Sequence, residues 1–211
     1  EKMTKAHSLL RSDEQKHPSS ADIAYLLERK ITTIIDMRTK KVTSHLPSPF
    51  ASRAPFAYYN IPIEEGSGVA ESIEAVPDSY MNIAGSAKMR QVYQCIAHAP
   101  QGVLFHCSAG KDRSGVVSAI LLLLAEVRDK DIIENYMMTK ECNAKRFALA
   151  RKNHPDLDIN NIIPGEEFMI RFLQLFREKY GDAENYMRRI GVLPEEIGMI
   201  RAKLLDTERK H

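Results

Sequence analysis

Residues 103–127 have the sequence VLFHCSAGKDRSGVVSAILLLLAEV. The first three residues predict a short buried strand, and the apolar run after Ser114 predicts a long buried helix. The polar loop between them places Cys107 six positions before Arg113. A Gly-containing turn at a helix N-terminus aims backbone N–H groups at one point and adds positive potential. The stretch therefore predicts an anion-binding loop between a strand and a helix.

The side chains of this loop indicate phosphate chemistry. Arg113 can bind two phosphate oxygens with its planar guanidinium group. The same positive field favours the thiolate form of Cys107, which would lie in line for attack on a bound phosphate. Ser114 can donate a hydrogen bond to the sulfur and so improve it as a leaving group. We predict a phosphomonoesterase with a cysteinyl-phosphate intermediate, in which Cys107 and Arg113 are catalytic and the remaining loop residues bind substrate: His106, Ser108, Ala109, Gly110, Lys111 and Ser114.

The rest of the chain predicts an α/β fold. Two further β-rich segments, 31–36 and 56–63, alternate with helical patterns, and most of the chain after residue 130 is helical. This alternation is typical of a central, mostly parallel sheet flanked by helices. We predict one domain over residues 1–211, with a helical C-terminal part. Residues 1–17 and 39–55 are predicted to be irregular.

Composition limits the partners and the compartment. The 30 Lys and Arg residues nearly balance the 28 Asp and Glu residues, so no nucleic-acid partner is expected. The three cysteines, Cys95, Cys107 and Cys142, are too few for a disulfide framework and fit a reducing compartment. The sequence predicts no integral membrane segment, no metal site and no cofactor. We expect a cytoplasmic protein, or a secreted one if a native N-terminal segment has been removed; the oligomeric state is left open.

The loop from His106 to Gly115 resembles the phosphate loop of the protein tyrosine phosphatase superfamily. Its Ala-Gly-Lys-Asp-Arg core is similar to that of a bacterial branch of tyrosine/serine phosphatases, some of which also hydrolyse phosphoinositides. The resemblance covers most of the chain and includes four further segments: 10–13, 34–39, 60–63 and 179–192. It implies a phosphorylated protein or a phosphoinositide as substrate.

The resemblance also implies roles and marks departures. In the family, the His before the nucleophile orders the loop, which implies this role for His106. Lys111 would add positive charge at the pocket mouth, unless it is a solvated surface lysine. The branch's N-terminal Asn-x-Arg-Asp-Leu-Gly-Gly segment is absent, so we expect a short native N-terminal segment to be missing. In that branch a Glu is common soon after the Asp-Leu-Arg element, whereas in this chain Lys40 and Lys41 follow Arg38.

The general acid that protonates the leaving group has four candidates. Glu64 and Glu65 follow the second strand and should lie at the same sheet edge as Cys107. Glu65 is nearest the family's usual Asp position and is preferred. Asp112 lies within the loop itself, as an Asp does in the distantly similar myotubularins. Asp78 resembles the cap of the following helix.

Two rival functions use the same kind of anion-binding loop. An inactive phosphate-recognition domain would require loss of Cys107 or Arg113, and both are present. A thiol redox or sulfur-transfer enzyme would use the same kind of anion loop, but a nearby resolving cysteine is missing.

Arg38 is expected to pair with Asp36 rather than to bind substrate. Cys95 is expected to pack in the core.

Overall fold

The computed structural model describes residues 4–66, 68–153, 155 and 159–206. These residues form a four-stranded sheet in which every pairing is parallel. Across the sheet, the strands lie in the order β1-β4-β2-β3. Their bounds are β1 Leu9–Ser12, β2 Ile31–Asp36, β3 Ala57–Asn60 and β4 Gly102–His106. The predicted α/β class and parallel sheet are confirmed.

Helices pack around this sheet and make up most of the second half of the chain. Residues 159–161 form one turn of 3₁₀ helix. The α-helices are α1 Ser20–Glu28, α2 Lys40–His45, α3 Val76–Ala84, α4 Lys88–His98, α5 Asp112–Leu124, α6 Asp129–Cys142, α7 Ala144–Asn153, α8 Glu166–Tyr180, α9 Ala183–Arg189 and α10 Pro194–Leu204. No helix of the described ranges combines the length and apolarity that a bilayer crossing needs.

The core explains why residues 103–127 determine the fold. Strand β4 lies between β1 and β2, and its residues Val103 to His106 are buried. Helix α5 follows directly and is buried along most of its length, from Arg113 to Leu121 and again at Leu124. A strand and a helix that are both surrounded by other elements need continuous apolar runs, as this sequence has. Cys95 lies partly buried against the same core, as expected.

Three local predictions were wrong. Residues 9–12 form edge strand β1 rather than irregular chain, because their backbone pairs with β4 in parallel register. Residues 40–45 form helix α2, which Thr39 caps by accepting a hydrogen bond from the backbone N–H of Val42. Asp78 does not cap α3: the cap position is Ala75, and Asp78 lies exposed in the first helical turn.

Candidate active site

The predicted phosphate loop lies at the carboxyl edge of the parallel sheet, between β4 and the N-terminus of α5. It lines a cavity of about 140 Å³. Cys107, Lys111, Asp112 and Arg113 all line this cavity. The opposite wall comes from the segment before α3 and from the 3₁₀ turn, and its residues include Gly68, Val69, Ala70, Asn161 and Ile162. The structure thus brings the predicted nucleophile, the predicted phosphate ligand and a helix N-terminus to one small cavity.

Three consecutive carbonyl groups of the loop are held by donors from other elements. Their oxygens belong to residues 108, 109 and 110. The pairs are Arg146 Nη1 to Ser108 (2.7 Å), Asn143 Nδ2 to Ala109 (2.9 Å) and Arg11 Nη1 to Gly110 (2.7 Å). A trans peptide is planar, so its N–H points opposite to its C=O. With these carbonyls held by outside donors, the three following N–H groups are directed away from those donors, an arrangement in which they can donate hydrogen bonds to phosphate oxygens.

Gly110 gives the loop its shape. Its φ angle is +67°, in the region that L-residues rarely adopt. A Cβ atom at this position would lie 2.7 Å from the carbonyl oxygen of Ser12 and 2.9 Å from the backbone nitrogen of Asp13. The loop therefore needs glycine here both for its backbone angle and for its close approach to the end of β1.

Arg113 is fixed at the bottom of the cavity by the ends of two strands. Its Nη1 donates to the carbonyl oxygen of Met37 at 3.0 Å and to that of Ile63 at 3.4 Å. Its Nε and the hydroxyl of Ser114 are buried and have no hydrogen-bond partner among the described atoms. The guanidinium group is thus anchored on one side and retains donors for a bound anion.

A buried polar cluster lies behind the nucleophile. His106 Nδ1 donates to the carbonyl oxygen of Cys107 at 3.2 Å, and its Nε2 lies 3.7 Å from Asp36 Oδ2. Burial lowers the pKa of His106. Burial opposes ionisation of Asp36, but hydrogen bonds from Arg38 outweigh it and bring the pKa of Asp36 below its usual value. The Arg38–Asp36 pair, at 2.7 Å, confirms the expected ion pair.

Lys111 and Asp112 form a charged pair at the cavity wall. Lys111 Nζ lies 3.2 Å from Asp112 Oδ1 and donates to the carbonyl oxygen of Asn161 at 3.1 Å. Lys111 is buried, so it is not a solvated surface lysine. Asp112 Oδ1 also accepts from the hydroxyl of Tyr80 at 2.9 Å, and that hydroxyl lies 2.7 Å from the hydroxyl of Tyr136.

The four candidate acids lie at different places. Asp112 lines the cavity and keeps part of its carboxylate exposed. Glu64 and Glu65 are exposed on the loop after β3 and do not line the cavity, although Gly68 to Ala70 of the same loop do. Asp78 is exposed on α3, one residue before the cavity-lining Ser79. Of the four candidates, Asp112 is therefore the one that lines the cavity.

Sequence reasoning missed the donors that hold the loop from behind. Arg11, Asn143 and Arg146 come from β1, the end of α6 and α7, at least 34 residues from the carbonyls they bind. Arg11 lies in a segment whose resemblance to the bacterial branch is noted above, which was the one available signal. The Asn143 and Arg146 contacts depend on helix packing and have no local sequence pattern.

The fold and the site define a class of protein: a parallel α/β sheet that carries a Cys-x₅-Arg anion loop at its carboxyl edge. The model of the tyrosine phosphatase family matches residues 1–206. The chain therefore belongs to the tyrosine phosphatase family and is a phosphatase. The resemblance seen in the loop sequence is confirmed over almost the whole chain.

Comparisons with individual proteins found the following similarities. The chain is 28% identical over 221 residues to a tyrosine-protein phosphatase of Nostoc commune, with 94% of this chain and 74% of that protein covered. The crystal structure of TpbA from P. aeruginosa is similar with a TM-score of 0.42 and 15% identity, over 88% of this chain and 87% of that one. A TpbA structure with a cysteine-to-serine substitution, in complex with phosphotyrosine, is similar with a TM-score of 0.38 and 14% identity, over 81% of this chain and 86% of that one.

Proposed function

We propose that this phosphatase removes phosphate from its substrate through a cysteinyl-phosphate on Cys107. The observation that carries the proposal is the shared cavity, which Cys107, Arg113 and loop residues between them line at the N-terminus of α5. The bound phosphate would be held by the N–H groups and by Arg113, while the sulfur attacks phosphorus in line with the leaving oxygen. The S–P bond forms as the P–O bond to the substrate breaks, and water then cleaves the S–P bond to release inorganic phosphate.

Phosphotyrosine is the proposed main substrate. The family and the Nostoc commune relative carry the tyrosine phosphatase name, which supports this choice. Phosphoserine and phosphothreonine are included in the proposal because the loop resembles that of a branch of tyrosine/serine phosphatases. Phosphoinositides are included because Lys111 places an additional cation at the cavity wall. The chemistry proposed here uses side chains and backbone N–H groups of the chain and requires no metal.

Asp112 is the proposed general acid. Leaving-group oxygens need a proton, and a positioned acid accelerates such a step by about 10²–10⁴-fold. The carboxylate of Asp112 lines the cavity, and Tyr80 and Lys111 contact its Oδ1, which leaves Oδ2 for the leaving group. Glu65, preferred on sequence grounds, is exposed and outside the cavity lining, so it becomes the second candidate.

The test of the proposed function is hydrolysis of p-nitrophenyl phosphate in the presence of a chelator. Wild-type protein should turn the substrate over, and Cys107→Ser should lose activity by several orders of magnitude because its activated nucleophile is gone. Cys142→Ser is the matched control, since Cys142 is exposed and should be dispensable for turnover.

Three outcomes would contradict the proposal. Residual activity of Cys107→Ser above about one per cent of wild type would exclude the covalent route. Phosphate binding without turnover in the wild type would indicate a recognition domain. Activity that requires a thiol or sulfane-sulfur co-substrate would indicate a redox or sulfur-transfer enzyme.

A further inference from the structure

The three donors that hold the loop carbonyls differ in how firmly they are themselves held. Arg11 donates to two further acceptors on α6, Thr139 and Asn135, and Asn143 is buried at the end of that helix. Arg146, by contrast, lies on the exposed helix α7 with 40% of its side chain accessible. An exposed arginine samples many rotamers, so its bond to the Ser108 carbonyl needs a second contact to keep it in place.

Glu14 supplies that contact. Its Oε1 lies 3.6 Å from Arg146 Nη1, and its Oε2 lies 3.2 Å from Arg38 Nη1. Its backbone N–H also donates to the carbonyl oxygen of Ser108, at 3.3 Å. One residue therefore reaches the same carbonyl twice, directly through its backbone and indirectly through the guanidinium group of Arg146.

The Glu14 carboxylate is a fixed charge rather than a mobile surface group. Its side chain is only 7% exposed, and an ionised carboxylate at such a position is retained only when it is paired. Arg38, its buried partner, is itself bound to Asp36 at the end of β2 through Nε and Nη2. A chain of alternating charges thus runs from β2 through Glu14 to Arg146 and ends on the phosphate loop.

We propose that Glu14 is a positioning residue that holds Arg146 on the Ser108 carbonyl. This contact sets the orientation of the peptide between Ser108 and Ala109, whose N–H lies next to the nucleophile and faces the cavity. Glu14 touches neither the substrate nor the reacting atoms; it acts on the anion cradle through Arg146. The inference rests on the proposed function in one respect, namely that the loop binds phosphate.

The experiment is a double-mutant cycle read out as affinity for inorganic phosphate, measured by titration calorimetry. Glu14→Gln removes the charge with little change of shape, and Arg146→Met removes the donor while retaining an unbranched side chain. Each variant should bind phosphate about tenfold more weakly, because the loss of one charge-assisted contact loosens one cradle N–H. The double variant should be no more than about twofold weaker than the weaker single variant, because both changes break the same contact.

The controls separate positioning from general stability. Arg146→Lys retains the cation and a donor and should restore most of the affinity. Glu28→Gln removes a carboxylate that is 73% exposed and paired with Arg29 on the surface, and it should leave the affinity unchanged. Thermal melting of every variant shows whether a loss of binding accompanies a loss of fold.

The inference is overturned if the losses of Glu14→Gln and Arg146→Met multiply in the double variant, or if either single variant binds phosphate like the wild type. If Glu14→Gln fails to fold, Glu14→Asp takes its place in the cycle, because it retains the charge but shortens the reach to Arg146; it should weaken phosphate binding in the wild type and change the affinity of Arg146→Met by no more than about twofold. Wild-type protein that binds no phosphate would instead refute the proposed function. A wild type that binds phosphate but does not turn over substrate would leave the positioning result interpretable.

Discussion

Substituting Gly110 by alanine should damage the phosphate loop more than its single added methyl group suggests. The backbone at this position has φ +67°, and the new Cβ would meet the Ser12 carbonyl oxygen at 2.7 Å and the Ser12 carbonyl carbon at 2.8 Å. These neighbours are backbone atoms of β1, which is paired to β4 and cannot move away as a flexible side chain would.

The expected magnitude has two parts. Placing an L-residue in the left-handed region costs about 1–2 kcal/mol. Forcing a methyl group into a packed site costs about a further 1–3 kcal/mol. The sum, about 2–5 kcal/mol, is a large part of the roughly 5–15 kcal/mol that holds a typical domain folded. The substitution would therefore either lower the free energy of unfolding or distort the loop. A distorted loop would bind phosphate more weakly.

Two measurements together capture both routes: urea unfolding monitored by circular dichroism, and phosphate affinity by calorimetry. Gly198→Ala is the matched control, because this exposed glycine of α10 has nothing within 4 Å of the new Cβ. That change should stabilise the protein by about 0.5–1 kcal/mol, since alanine favours a helix more than glycine does. If Gly110→Ala changes both the unfolding and the binding free energy by less than about 0.5 kcal/mol, the described loop geometry is wrong.

Four other perturbations give further expected outcomes. Arg113→Lys should lower kcat/KM for p-nitrophenyl phosphate by about 100-fold or more, because an ammonium group cannot replace an anchored guanidinium fork, and a loss within about threefold would make this arginine peripheral. Asp112→Asn should slow phosphotyrosine hydrolysis by about 100-fold but slow hydrolysis of a fluorinated aryl phosphate only slightly, because a good leaving group departs unprotonated. Equal slowing of both substrates would exclude Asp112 as the general acid, and Glu65→Gln would then be the next variant to assay. Lys111→Ala should reduce phosphoinositide turnover more than p-nitrophenyl phosphate turnover, and equal losses would argue against head-group recognition. Burial lowers the pKa of His106 in the folded protein, so as the pH falls the unfolded chain binds a proton at this residue before the folded protein does. The free energy of unfolding should therefore decrease as the pH drops below about 6.5. Urea midpoints that stay level between about pH 7.5 and 5.5 would contradict this.

The sequence predicted the centre of the molecule well because strong local patterns coincide there. An apolar strand, a Gly-containing polar loop and an apolar helix follow one another between residues 103 and 124, and β4 and α5 are buried in the structure. The part of the chain after residue 130 was likewise predicted to be mostly helical, and helices α6 to α10 confirm this. In these segments local propensity and tertiary burial favour the same structure.

Strand β1 shows where such reasoning fails. Its four residues end in Arg11 and Ser12, which do not resemble a buried strand. Arg11 is tolerated there because Gly110, Asn135 and Thr139 supply acceptors for its guanidinium group, and these residues lie about 100 or more positions away along the chain. Only the folded structure brings the acceptors to the strand.

The candidates for the general acid illustrate the same limit within the site. Glu65 follows a strand at the predicted sheet edge, and that reasoning about the edge is correct for the loop as a whole, since Gly68 and Ala70 line the cavity. Which side chain of the loop faces the cavity depends on the path of a segment without regular periodicity. Asp112 was brought to the cavity by the turn into α5, a feature that its position beside Arg113 already indicated.

The central claim is that Cys107 carries the phosphoryl group during turnover. The most direct measurement is acid quenching of the enzyme within milliseconds of mixing with a fast aryl phosphate substrate, followed by mass spectrometry of the peptides under conditions that preserve the S–P bond. We predict a phosphoryl group on the peptide that contains Cys107, and none on the peptides that contain Cys95 or Cys142. Rapid turnover with no phosphorylated Cys107 peptide at any quench time, or with the phosphoryl group on another residue, would contradict the account.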